Sequence, residues 1–130
     1  MPRRKPKTCR ISVFRGRGAK LNCAIFRIFT GKGPLTIYGV CKEIRKQKAL
    51  RHTKYTVVNR TVRSLEEARY LEKVGTRTTR AGFTVHLYQL SLRGHLALVL
   101  KKVDLDDFLQ NADEALILMA LCVFTSDLAG

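Results

Sequence analysis

Charge is sorted along this chain, and the sorting constrains what each part can become. Of its 25 Lys and Arg residues, 18 lie in the first 63 positions, opposed there by one acid, Glu43. Residues 64–103 carry seven basic and three acidic side chains, and residues 104–130 carry no basic and six acidic ones. The segments hold formal charges of +17, +4 and −6, which make up the net +15. A gradient this steep gives the two ends different work. The front suits something anionic and extended, and the back suits protein, so nucleic acid is the leading partner.

At 130 residues and 45% hydrophobic, the chain supports one domain with a modest core. That apolar fraction is too high for a disordered basic tail. The basic start Met1-Pro2-Arg3-Arg4-Lys5-Pro6-Lys7 is not followed by an apolar core with a cleavage site, so no signal peptide is expected. The longest apolar run, Ala115 to Phe124, is ten residues. A membrane span needs about twenty, so no membrane partner is expected. Cys9, Cys23, Cys41 and Cys122 form no Cys-x-x-Cys pair and have no His at zinc spacing, which leaves four reduced thiols and no metal. Asn59-Arg60-Thr61 fits a glycosylation sequon, which carries no meaning without secretion.

Residues 1–18 read as a flexible basic arm ending in the Arg15-Gly16-Arg17-Gly18 loop, which lacks the spacing of a phosphate-binding loop. Residues 19–130 read as a single domain. In residues 19–30, Leu21, Ala24, Ile25, Ile28 and Phe29 follow helical spacing, with Gly31 at the stop position. A buried strand is the alternative. Leu35–Ile44 is rich in Thr36, Ile37, Tyr38 and Val40 and reads as a strand. Arg45 to His52 is a basic connection, and Tyr55–Val62 reads as a second strand.

Ser64-Leu65-Glu66-Glu67 has the form of a capping box, opening a helix that carries Leu65, Ala68, Leu71 and Val74 and stops at Gly75. Thr76 to Arg80 is a polar link. A hairpin is expected over Phe83–Leu90 and His95–Val103, turning at Leu92-Arg93-Gly94. It gathers Phe83, Val85, Leu87, Leu96, Leu98 and Leu100 on one apolar face. Asp104 caps a last helix over 104–125, with Asp106 and Asp107 in its first turn. From Ala115 onward that helix is apolar on every side, so it wants its own sheet and a second copy. Leu116, Met119 and Val123 are the expected dimer contacts. The resulting order is helix, strand, strand, helix, strand, strand, helix. This is an α+β domain with a four-stranded, mostly antiparallel sheet, helices on one face and the other face open to a ligand.

Catalysis finds little support. His52, His86 and His95 have no acid or thiol at motif spacing, and six of the ten acids lie in the last helix and tail. No enzyme activity and no cofactor are expected. The basic content suits RNA, because hydroxyls and aromatics (Thr36, Tyr38, Tyr55, Thr56, Thr84, His86, Tyr88) are interleaved with cations. The chain has no Trp and no run of aromatics on which single-stranded bases would stack, which favours a duplex read by shape. The expected contacts are Thr84, His86, Tyr88 and Lys101 on the hairpin. Arg15, Arg17, Lys42, Arg45, Lys46, Arg60, Arg63, Arg77 and Arg80 join them from the loop, strands and flanks. Arg60 and Arg63 are alternatives, because the strand containing them does not show which face it buries.

The stretch Ser64–Gly75, then Gly82–Leu90, the turn Arg93-Gly94, His95–Val103 and the helix from Asp104 resembles the small RNA-silencing suppressors of tombusviruses. The short form found in aureusviruses is the nearest type. The resemblance implies a homodimer joined by its last strands and helices, and a concave merged sheet that cradles double-stranded RNA, including small interfering RNA. It further implies suppression of RNA interference in the host cytoplasm. Longer members bracket duplex ends with tryptophans on an N-terminal helix. This chain has none, so weak or no length selection is expected. A small ribosomal or ribonucleoprotein subunit that binds folded RNA is the alternative reading.

Overall fold

The structure, a computed structural model, describes residues 11–129, with side chains as far as Thr125. Of the arm expected over residues 1–18, residues 1–10 lie outside the described residues, and Phe14 in the remainder is buried. From Ser12 onward the chain is helical except for one ribbon. A 3₁₀ turn, Ser12–Phe14, precedes helix α1 (Ala19–Lys32). Helices α2 (Ile37–Arg45) and α3 (Tyr55–Glu67) follow, joined through a second 3₁₀ turn, Lys48–Leu50. Strands β1 (Leu71–Thr78) and β2 (Thr84–Leu90) come next, then α4 (Leu92–Lys102), α5 (Leu105–Asn111) and α6 (Glu114–Ala129).

The expected four-stranded sheet is therefore replaced by a two-stranded antiparallel ribbon among helices. Leu35–Ile44 is not a strand but α2. Thr36 accepts a hydrogen bond from the Gly39 N–H at 3.0 Å, capping the helix start. Val40, Cys41 and Ile44 are buried at helical spacing, so period outweighs the β-branched composition. Tyr55–Val62 is likewise the body of α3, with Val58, Val62 and Leu65 buried at i, i+4 and i+7.

The helix expected from Ser64 to Gly75 is absent. Ser64 sits in the last turn of α3, and its carbonyl accepts from the Ala68 N–H. The chain then leaves the helix through a Schellman motif. Arg69 N–H donates to the Glu66 carbonyl and Tyr70 N–H to the Leu65 carbonyl, both at 2.9 Å. Arg69 takes the left-handed position, φ +71°, that glycine usually fills, which hides the helix end from the sequence. Gly75 marks a bulge in β1 rather than a helix stop.

The strand Phe83–Leu90 exists as β2, but its partner is β1, with Leu71 opposite Leu90 and Thr78 opposite Thr84. His95–Val103 is not a strand. It belongs to α4, whose cap is Ser91, accepting from the Gly94 N–H at 3.1 Å. Gly94 is required there, because a Cβ would stand 2.5 Å from the Tyr70 carbonyl oxygen and 2.6 Å from Leu90 Cδ1. The favoured helix over residues 19–30 is α1, ending at Gly33 (φ +76°) rather than Gly31. Asp104 does cap a helix, accepting from Asp106 and Asp107 N–H groups. That helix stops at Asn111, however, and Asp113 starts α6 by accepting from Leu116 N–H at 2.8 Å.

The core lies where α1, α2 and α3 meet the base of the ribbon. Ile25, Phe26, Val40, Ile44, Val58 and Val62 are fully buried, with Leu71, Tyr88 and Leu90 closing one side. Phe14 packs edge-on against Phe26 with centroids 5.0 Å apart. Leu35 and Tyr88 exchange backbone hydrogen bonds of 2.8 and 3.0 Å, tying β2 to the start of α2. Burying one large side chain of this kind contributes about 1.5–3 kcal/mol, so these few positions carry much of the stability.

Candidate nucleic-acid interface

Helical geometry decides which cations reach solvent. On α2 the buried stripe leaves Tyr38, Lys42, Arg45 and Lys46 on the opposite, exposed face. The Lys42 ammonium lies 5.7 Å from the Tyr38 ring centroid, and Arg45 Nε donates to the Thr53 carbonyl at 3.1 Å. On α3, Arg60 and Arg63 are three residues apart, so both fall on the exposed side, with Arg63 Nε donating to Asn59 Oδ1. They are not alternatives, as a strand would make them. Arg15 and Arg17 are exposed in the loop before α1.

Carboxylates neutralise little of this surface. The ion pairs among the described residues are Lys46–Glu43 at 2.8 Å and Lys73–Glu66 at 3.8 Å. The Lys46 ammonium holds the Glu43 carboxyl below its ordinary value of 4.5.

Beyond the core the ribbon projects as an exposed two-stranded arm. Paired residues share a face, so Thr76 and His86, with Thr78 and Thr84, present three hydroxyls and an imidazole together. Arg77 lies on the other face, and Arg80 is exposed in the turn between the strands. Thr76 and Thr78 were hidden from the sequence reading by their placement in a link. The alternation that would have found them is broken by the bulge between Lys73 and Gly75.

Tyr88 follows Thr84 and His86 on the same side of β2, but there the ribbon enters the core. The tyrosine is buried in the core, and burial, with the Glu66 carboxylate, pushes its hydroxyl above the ordinary 10.0. Lys101 lies away from the ribbon, half-buried. Its ammonium donates to Cys23 Sγ at 2.6 Å and lies 5.1 Å from the centroid of the Phe14 ring. It borders a depression that Lys20 and Arg27 of α1 also line. Neither of those two was singled out by sequence, although Lys20, Cys23 and Arg27 share one stripe of α1.

The acidic end is apolar and open. Leu116, Met119 and Val123 lie on one side of α6 and are exposed, as are Leu118, Leu121 and Phe124 on its other sides. On α4 the exposed Leu92, Leu96 and Val99 form a second stripe at i, i+4 and i+7. Among the described residues no helix is long and apolar enough to cross a membrane, and no three His, Cys, Asp or Glu residues gather around a possible metal. Comparison with known protein families, curated proteins and solved structures finds no match. The order of elements that carries the likeness to tombusvirus suppressors differs here, since Arg93-Gly94 lies in the first turn of α4.

Proposed function

We propose that this protein binds double-stranded RNA without chemistry, through phosphate and 2′-hydroxyl contacts. The observation that carries the reading is the ribbon face of Thr76, Thr78, Thr84 and His86, with Arg77 on the reverse face, Arg80 in the turn and the cationic outer face of α3 preceding it in sequence. Small hydroxyl-bearing side chains let a backbone approach the wide, shallow minor groove of an A-form helix, where 2′-hydroxyls are displayed. Cations then hold phosphates on either side. Sequestration of short duplexes, and with it suppression of RNA silencing, is the role attached to this binding. The ribonucleoprotein alternative draws on the same basic surface, with the acidic, apolar end docking a neighbour.

We further propose that two copies associate through α6. Its apolar surface runs all the way round and needs cover on two sides, while one copy offers a single free stripe, on α4. The acidic residues Asp113 and Glu114 would repel both RNA and an anionic membrane, and they complement the exposed Lys102 at the end of α4.

A gel shift with duplex RNA, single strands and duplex DNA tests the binding. Duplex RNA should bind best. With six phosphates engaged, affinity falls roughly 10³-fold over a fourfold rise in salt. Replacing Arg77 and Arg80 by Gln should lower the slope of that salt dependence by about two. Equal binding to duplex DNA would sink the RNA reading, and a monomer on a sizing column would sink the dimer.

A further inference from the structure

The depression bordered by Lys101 has a chemistry that duplex binding does not use. It is an open hollow of about 510 Å³ whose lining includes Phe14, Lys20, Cys23, Arg27, Leu50 and Lys101. That volume falls within the range of small-molecule sites. Its floor is apolar, from Phe14, Leu50 and nearby alanines. Three cations stand around it, and no carboxylate is among the lining residues.

Two of those cations occupy one stripe of α1. Lys20 and Arg27 are about 10 Å apart along the axis, with Cys23 between them. The third, Lys101, is half-buried and touches a thiol and an aromatic ring rather than an anion. An anion arriving here would meet three cations with no carboxylate among the lining residues to compete for them. The first turn of α1 adds to this. Its N-cap, Gly18, supplies no side-chain acceptor, and that turn holds no acid. Helix starts of this kind favour negative charge, and Ala19 and Lys20 of this turn line the depression.

The shape selects the ligand. A duplex is far too wide to enter, whereas one nucleotide at its end fits. A phosphate monoester carries a charge of about −1.5 to −2 at neutral pH, against −1 for an internal diester, which suits a hollow bordered by three cations. The apolar floor would accept a base.

We propose that this depression binds a terminal nucleotide by its phosphate monoester, with the base against Leu50 and Ala49. The proposal deepens the RNA-binding reading and rests on it for the polymer, though not for the nucleotide itself. The test has two arms. In the first, adenosine 5′-monophosphate, adenosine and inorganic phosphate are titrated separately and followed by backbone amide shifts. The monophosphate should saturate the signals of Lys20, Cys23 and Arg27, with adenosine and phosphate each much weaker. Phosphate acting as strongly as the nucleotide would overturn the proposal.

In the second arm, one RNA duplex is compared with 5′-phosphate and with 5′-hydroxyl ends. The phosphorylated form should bind about tenfold tighter, the worth of one charged hydrogen bond. The difference should vanish in the double variant K20Q/R27Q, whose side chains are exposed and cost the fold little, and in K101M, which keeps an apolar stem near Phe14. Tight but equal binding of both ends, or a preference that survives K20Q/R27Q, overturns the pocket while leaving duplex binding intact. Saturation by the nucleotide with no duplex binding supports the pocket and removes the RNA reading.

Discussion

From Phe14 to Leu90 the large apolar side chains converge on one core, whereas from Leu92 to Phe124 most of them face solvent. The first region is wrapped in cations and the second ends in acids. Both contain amphipathic or apolar helices, so the difference does not lie in helix content. It lies in whether a helix finds its cover within the same chain. α1, α2 and α3 cover one another and the base of the ribbon. α4 turns one side inward, through Gly94 and Ala97, and leaves the other bare, while the described residues of α5 and α6 contribute nothing to the core. A region whose apolar surface is finished internally can spend its exterior on charge. A region left unfinished is specified by what it will meet.

Large-to-small changes should break the comparison most visibly. Phe26→Ala should cost about 3–5 kcal/mol in urea unfolding, as expected for an aromatic removed from a closed core. Phe124→Ala in dilute protein should cost close to nothing. Equal losses would mean that the C-terminal helix is core after all. Next comes the joint between the regions. Gly94→Ala forces a methyl onto the Tyr70 carbonyl and should cost about 2–3 kcal/mol, because a backbone oxygen cannot step aside. An unchanged denaturant midpoint would show that α4 is not seated against the ribbon.

A third change acts on association alone. Leu116→Lys with Met119→Lys should weaken the dimer at least tenfold by sedimentation and leave the melting temperature of the monomer in place. If the monomer melts earlier instead, the same side chains serve a core.

The smallest effect belongs to the basic region. The folded-state pKa of Glu43 is depressed, so its contribution is present above the unfolded value near 4.5 and fades as pH falls through the lower folded one. Glu43→Gln should slightly flatten the loss of stability between pH 5 and pH 3, read from denaturant midpoints. A steeper loss would contradict the pairing with Lys46.

The helices misread as strands show what local pattern does and does not carry. Thr36, Ile37 and Val40, and again Thr56, Val57 and Val58, are strand formers by side-chain shape. The spacing of Val40, Cys41 and Ile44, and of Val58, Val62 and Leu65, already described helices, and burial followed the spacing. The Ser64 box failed because the same four residues can sit at the end of a helix as well as at its start. Nothing local marked Arg69 as a left-handed terminus. In α4 the alternating Leu96, Leu98 and Leu100 imitated a strand, while the cap at Ser91 passed unnoticed beside the Arg-Gly pair. What could be read correctly was either long-period or chemically specific, namely the helix over residues 19–30, strand β2 and the cap at Asp104. As for the site, net charge was legible but its placement was not. Burial removed Tyr88 from the surface, and only the ribbon register brought Thr76 and Thr78 alongside His86 and Thr84.

The hydrogen bonds between Leu35 and Tyr88 have a consequence for how the chain reaches this state. They join residues far apart in sequence, so forming them closes a long loop and gives up its entropy before much is returned. The helical segments between them need only near neighbours to form and can begin early. The ribbon base is then the late arrival, docking after the step that sets the pace of folding. Side chains at that junction govern how slowly the finished molecule comes apart more than how fast it assembles.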